Sequence, residues 1–410
     1  MAQYPVRPVT RDEFDRFANA EFSAFGEHVP SEEHPAWATA ELDRTLAAFD
    51  GDEVVGTGRI YSLELTLPGG RIVPTAAVSA IGVLPTHRRR GILTSIMGRQ
   101  LDDAAERGES TATLTASEGT IYRRFGYGVA TLHQSFELDT GHGAFLPDVA
   151  IEGRCRLIDE DAATKTLPGI FDRARRRQPG AISRTDAWWP SSYFDFDEAK
   201  VGAGKSFHVV YESPSGELAG YATYAIQQRF DSGIARNRLG VRELSSVTPQ
   251  ARRALWRFLC DIDLVETITA WNAPVDEPLR WMLRESRRFE VRRLGDHLWV
   301  RLVDVAAALT DRTYAAAGEA VIEVRDAFRP TAGGRYRLSA GEDGSARCTR
   351  TDDAADIALD TADLASAFLG GIRFGDLARA GLVEERAPGA VARLDAMFAV
   401  DPLPYSQTWF

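Results

Sequence analysis

The chain has 410 residues, 44% of them hydrophobic and 26% charged, with a formal net charge of −11; it is too long for one ordinary domain and has the composition of a folded globular protein. The acidic balance keeps a protein soluble and would draw a cationic substrate by long-range attraction, and it speaks against nucleic acid, which needs a basic face. No apolar run is long enough to cross a bilayer, residues 1–17 lack the apolar stretch of a signal peptide, and Cys155, Cys260 and Cys348 stand apart with no CxxC pair, so a cytoplasmic protein without disulfides, metal or membrane attachment is expected.

Over residues 10–25 the apolar side chains Phe14, Phe17, Ala18, Phe22 and Phe25 recur at steps of three and four, one face of an amphipathic helix. Three β-rich runs follow between residues 46 and 84, divided by Asp50-Gly51 and by Pro68-Gly69-Gly70, which predicts antiparallel hairpins. A helix is expected over 91–107, with Ile92, Ile96, Leu101 and Ala105 on one face, then a strand in TATLTAS. A short helical piece around Ile121 and Tyr122 and a strand over 130–138 complete an α/β domain, 1–150.

Residues 151–302 repeat that plan weakly. Leu244 to Val247, then Thr248-Pro249-Gln250-Ala251-Arg252-Arg253, parallels Ile81 to Leu84 and Pro85-Thr86-His87-Arg88-Arg89; a helix over 254–260 and a strand over 264–270 come next. Aligned this way, Gly91 meets Leu255, and the second copy lacks the residue that would let an anion near the backbone. From 303 to 410 the composition shifts: an alanine-rich helix over 304–309, strands separated by Gly333-Gly334 and by Glu342-Asp343-Gly344, and helices over 361–369 and 374–380. The sequence closes on Trp409-Phe410, a pair expected to dock rather than fray.

The most informative stretch runs from Ile81 through the basic turn Pro85-Thr86-His87-Arg88-Arg89-Arg90 to Gly91, Ile92, Leu93 and Thr94. Amides at a helix start have no intrahelical acceptor and carry the positive end of the dipole, so they can receive a diphosphate. Gly91 keeps a Cβ out of the approach, and the arginines add charge. A solvated helix entrance would have a similar composition; placement after the last strand of a meander favours the functional reading.

Arg88 and Gly91 match the acetyl-CoA motif R/Q-x-x-G-x-G/A of the GNAT acetyltransferases, with Leu93 in place of the last small residue. The longer strings PTHRRRGILT and LTASEGTIYRRFGYGVAT resemble the Eis (enhanced intracellular survival) N-acetyltransferases. That resemblance implies two GNAT-like domains in tandem, the second without a working cofactor site, and a sterol-carrier-like α/β domain at the end. It implies that Ile81, Gly82 and Val83 pair their backbone with the pantetheine arm of acetyl-CoA. Arg89, Arg90, Gly91, Ile92, Leu93 and Thr94 would surround the diphosphate, and Ser117 and Glu118 would line the far side of the thioester. Phe25, Glu27 and Trp37 resemble positions of the acceptor cleft, where aromatic walls and a carboxylate would suit a polycation.

Acetyl transfer to an amine needs a donor for the departing thiolate and an acceptor for the amine proton. Tyr122, before Gly126-Tyr127, fits the GNAT placement of the general acid, with Tyr127 as packing. The resemblance implies the carboxylate of the final residue, Phe410, as general base, a trimer-based homohexamer, and aminoglycosides among the substrates. His28, His34 and His87 show no metal spacing. Two other functions fit the same features: acetylation of lysine side chains or peptides, and a non-catalytic carrier of acyl-CoA or lipid.

Overall fold

The computed structural model describes residues 4–29, 39–140, 145–146, 151–189 and 205–410. It divides into two compact units: residues 1–131, 297–401 and 408–410 in one, and 132–296 with 402–407 in the other.

In the first unit, strands β1 (Val6–Pro8), β2 (Thr45–Asp50), β3 (Glu53–Thr66), β4 (Ile72–Val83), β5 (Thr111–Thr115) and β6 (Gly128–Val129) belong to one sheet. The meander from β1 to β4 is antiparallel, as its turn residues require. Helix Phe14–Phe25 buries Phe14, Phe17, Ala18 and Ala20; Arg59, fully buried on β3, lies under the rings of Phe14 and Phe17 and pairs with Glu21 at 3.2 Å. Helix Ile92–Glu106 carries Ile92, Ile96, Met97, Leu101 and Ala104 inward and crosses from β4 to β5, which are parallel.

The second unit holds β7 (Leu132–Asp139), β8 (Arg154–Ile158), β9 (Phe207–Glu212), β10 (Leu218–Gln227), the ribbon β11 (Phe230–Asp231) and β12 (Ile234–Ala235), β13 (Asn237–Ser246), β14 (Val265–Ala273) and β15 (Phe289–Asp296). Its large sheet runs β8-β9-β10-β13-β14-β7-β15, and the first sheet runs β1-β2-β3-β4-β5-β16-β6, where β16 is Leu298–Leu302. The two orders are the same plan, with helix Pro249–Cys260 in the place of Ile92–Glu106 and helix Glu160–Arg175 in the place of Phe14–Phe25. The duplication expected from the apolar runs is therefore present.

Two details differ from the sequence reading. The strand expected to end the first domain is present, but β7 lies between β14 and β15 of the second sheet. Reciprocally, β16 lies between β5 and β6 of the first. An apolar period of two fixes that a segment is a strand, not which neighbour it pairs with. The alignment of Gly91 with Leu255 also fails. Gly91 is the N-cap of its helix, whereas the second helix starts at Pro249, directly after Thr248, and Leu255 is buried in its middle. The residue facing the role of Gly91 is Thr248, whose hydroxyl accepts from the Ala251 amide at 3.1 Å. Pro249 contributes no N–H at all. The second helix entrance is closed by its own cap.

The C-terminal part of the first unit is a five-stranded sheet, β19-β18-β17-β20-β21, built from β17 (Gly318–Arg325), β18 (Gly334–Ala340), β19 (Ala346–Arg350), β20 (Ile357–Asp360) and β21 (Val383–Glu385). Helices Val305–Asp311, Thr361–Ala367 and Phe374–Arg379 lie where the sequence places them, and helix Ala390–Phe398 is an addition. This domain is fastened to the first sheet by charge. Arg301 of β16, fully buried, donates to Asp326 and to Thr361 Oγ1 at 2.9 Å, and Arg123 meets Asp363 at 2.8 Å. Removing one partner of a buried pair strands the other charge. Asp326→Ala, which also frees the amides of Phe328 and Arg329, should cost about 3–5 kcal/mol, read as a lowered urea midpoint at unchanged slope.

Candidate active site

The site begins with a divergence of strands. β4 and β5 pair only at Thr75↔Thr111, Ala76↔Ala112 and Ala77↔Thr113, yet β4 continues to Val83 and β5 to Thr115. The cause is a bulge in β4: Thr57 faces Gly82 and Arg59 faces Ser79, so one extra residue is fitted on β4. Ala80 takes φ +54° there, and its carbonyl accepts from Thr57 Oγ1 at 2.9 Å. Beyond the bulge the strand ends separate and open a cavity of about 650 Å³. Ile81, Gly82 and Val83, beyond the last β4–β5 pair, line it, with Gly82 paired to Thr57 of β3 on the other edge. A Cβ on Gly82 would lie 2.8 Å from Ala24 Cβ and 2.9 Å from Thr57 Oγ1, so only glycine lets the first helix approach this edge.

At the mouth stands the basic turn. Arg89 is left-handed (φ +62°), an unusual state for a non-glycine residue, and Gly91 is left-handed too (φ +85°). Gly91 N-caps the helix with no side-chain cap, and nothing lies within 4 Å of where its Cβ would be. The first amides of the helix are therefore free to receive an anion. Arg89, Gly91, Ile92, Leu93 and Thr94 line the cavity. Arg90 does not: its guanidinium donates to the Tyr4 hydroxyl at 2.7 Å and to the Thr86 carbonyl at 3.1 Å. Its side chain braces the turn. Beside Arg89 the guanidinium lining comes from Arg88, the motif residue, and from Arg124; His87 and Arg124 are the basic lining residues that spacing did not single out. His87 is held by Thr86 at 2.8 Å and Asp50 at 3.2 Å, contacts across the Asp50-Gly51 hairpin that no local pattern announces.

On the opposite wall Ser117, Glu118, Ile121 and Tyr122 follow the end of β5. The Tyr122 phenol is pushed up to about 12, first by burial, with a hydrogen bond from Ser117 opposing and the nearby Glu118 carboxylate adding to it. Tyr127 is wholly buried, 6.2 Å from the Tyr122 ring and outside the cavity lining. It is core, as read. Two residues before Ser117 on the same strand, Thr115 Oγ1 donates to the main-chain oxygen of Phe410 at 3.3 Å. Trp409 stacks on His297 at 5.3 Å, and Thr408 is fully buried, so this segment docks. Phe25 lines the cavity while 49% exposed. Glu27 is exposed and outside the lining, and Trp37 lies outside the described residues.

Residues 5–130 match a family model described as an acetyltransferase (GNAT) domain, residues 180–302 match a second acetyltransferase (GNAT) domain, and residues 305–407 match a sterol carrier protein domain. An uncharacterized N-acetyltransferase of Streptomyces avermitilis is 38% identical over 98% of both chains. The N-acetyltransferase Eis of Mycobacterium tuberculosis is 36% identical over 92% of both. The chain belongs to the Eis family of N-acetyltransferases. The crystal structure of Eis1 from Mycobacterium abscessus superposes with a TM-score of 0.88 at 37% identity, covering 99% of this chain and all of that one.

Membership of the Eis family makes the protein an acetyltransferase, and its GNAT domains imply acetyl-CoA as the acyl donor. The residues present fit that donor: an uncapped helix start flanked by Arg89 for phosphates, and open strand edges at Ile81 to Val83 for an amide-bearing arm. Among the described residues no group of His, Cys, Asp and Glu is arranged to hold a metal, and no helix is long and apolar enough to cross a membrane. Gly91→Val would put a branched side chain at a left-handed position and over the free amides. Acetyl-CoA affinity should fall by about tenfold or more in a calorimetric titration, with the unfolding midpoint little changed; undiminished affinity would mean that the turn is structural only.

Proposed function

We propose that the enzyme transfers acetyl from acetyl-CoA to primary amines of cationic small molecules, with Tyr122 as general acid and the Phe410 carboxylate as general base. The observation that carries this reading is Tyr122 in the lining beside Ser117, its phenol a proton donor that burial makes a weaker acid still.

Acetyl-CoA supplies an acyl carbon already activated by its thioester. The amine nitrogen forms the new C–N bond as the C–S bond breaks. Tyr122 gives its proton to the departing sulfur, and Ser117 remains as partner for the hydroxyl. The proton that the amine sheds goes to the Phe410 carboxylate, directly or through water; that carboxylate is tied to the same strand by Thr115. An α-carboxyl has an ordinary pKa of about 3.3–3.7 and is a weak base alone, so water relay and an amine bound with little charge suit it better than direct abstraction from an ammonium. Acceptors of the aminoglycoside class follow from the family resemblance and agree with the net charge of −11 and with Glu118 on the lining.

A thiol-release assay with acetyl-CoA and a panel of amines tests the class: turnover with aminoglycosides supports it, turnover with lysine peptides alone redirects it, and tight acetyl-CoA binding without release favours a carrier. Tyr122→Phe should lower kcat by roughly 100-fold while acetyl-CoA binding persists. Because the phenol titrates near 12 rather than at the ordinary 10.0, it stays a proton donor on the alkaline side, and kcat should show no fall assignable to it below about pH 10. Appending two residues after Phe410 moves the carboxylate away; full turnover in that folded variant would remove Phe410 from the mechanism.

A further inference from the structure

The second sheet repeats the divergence of the first, with a different occupant. β13 and β14 pair in parallel up to Val241↔Ala270, after which β13 continues to Ser246 and β14 to Ala273. A bulge lies at the same place, since Thr223 faces Glu243 and Tyr224 faces Val241 with one residue over on β13. In the first sheet this split opens on a cavity of about 650 Å³; in the second only about 50 Å³ is left. The space and the hydrogen-bonding groups are taken by residues 402–407 of the chain. Gln407 Nε2 donates to the Leu244 carbonyl at 2.6 Å, on β13 where it has left β14. Tyr405 Oη donates to the Asn272 carbonyl at 2.9 Å, and Asn272 Nδ2 donates to the Ser406 carbonyl at 3.3 Å, both on β14 past its last pair with β13. The Tyr405 amide donates to Pro179, and the Leu403 amide to Asp276 at 2.9 Å.

We propose that the split of the second GNAT-like domain is a peptide-binding site whose ligand is the chain's own segment 402–407, and that seating this segment sets the position of Phe410. Leu244 lies just past the bulge on β13, as Gly82 and Val83 lie just past it on β4, so the segment takes the strand edge that lines the cavity in the first sheet. The domain that cannot hold acetyl-CoA, because Thr248 and Pro249 close its helix entrance, has an extended peptide in the matching groove instead. From Gln407 the chain needs three residues to reach Phe410, too few to leave much slack. Asn272, Tyr405 and Gln407 are thus positioning residues for Phe410. The positioning half rests on the catalytic reading of Phe410; the seat does not.

The test uses the full-length chain with Asn272→Ala combined with Gln407→Ala, and separately Tyr405→Phe. Hydrogen exchange at the amides of residues 403–407 should quicken by about tenfold or more, and kcat should fall by about tenfold while the acetyl-CoA KM stays within about twofold. A second variant with two glycines inserted between Gln407 and Thr408 keeps the seat and slackens the tether: protection of 403–407 should persist while kcat falls. Unchanged exchange in the first variants overturns the seat. Quickened exchange with unchanged kcat overturns the positioning role. If residues appended after Phe410 leave turnover intact while exchange still quickens, the catalytic reading of Phe410 fails and the seat stands.

Discussion

Two parallel strands that part before they end impose most of what this protein is. Each bulge leaves main-chain donors and acceptors without strand partners, and buried polar groups of that kind are costly unless something meets them. In the first sheet the gap stays open beside an uncapped helix start, which suits a ligand carrying both amides and phosphates. In the second sheet a threonine cap and a proline close the helix start, and a stretch of the chain itself meets the strand edges. One construction leaves an open cleft in one copy and is filled by the chain itself in the other.

The two tyrosines show how little geometry separates a cleft-lining side chain from one in the core. Their rings are 6.2 Å apart, and both hydroxyls are made weaker acids by burial. Tyr122 faces the cleft and has Ser117 beside it; Tyr127 faces the core. The helical turn that carries Tyr122 runs into Arg123 and Phe125, and these are gripped by Asp363 and Phe328 of the C-terminal domain. The sterol-carrier-like domain is therefore part of the frame around Tyr122.

Sequence alone revealed the cleft because its signals are local. A glycine must sit at a left-handed N-cap, a meander needs its turn residues, and a tyrosine precedes Gly126 at a fixed step. What escaped has long-range causes. Arg90 and Arg88 look alike in a run of three arginines, and only Tyr4, far away in the chain, decides that Arg90 turns outward. His87 joins the lining through Asp50 on a different hairpin. The offset of Gly91 against Leu255 arose because the first copy inserts a turn before its helix and the second has none. Helix Glu160–Arg175 carries Pro168 and Gly169, which break the pattern that would have announced it.

The reciprocal strands bear on biosynthesis. β5 ends at Thr115, but the neighbour that covers its far edge, β16, starts only at Leu298. While the ribosome is still making the middle of the molecule, the catalytic sheet therefore carries an unpaired edge, the kind of surface on which chains stick to one another. In the second sheet β7 emerges first and waits in turn for β14 and β15, the last of which ends at Asp296, before β16 begins. Maturation of the nascent protein thus runs against domain order, with the later-encoded sheet complete first and the earlier one left ajar until the linker strand arrives.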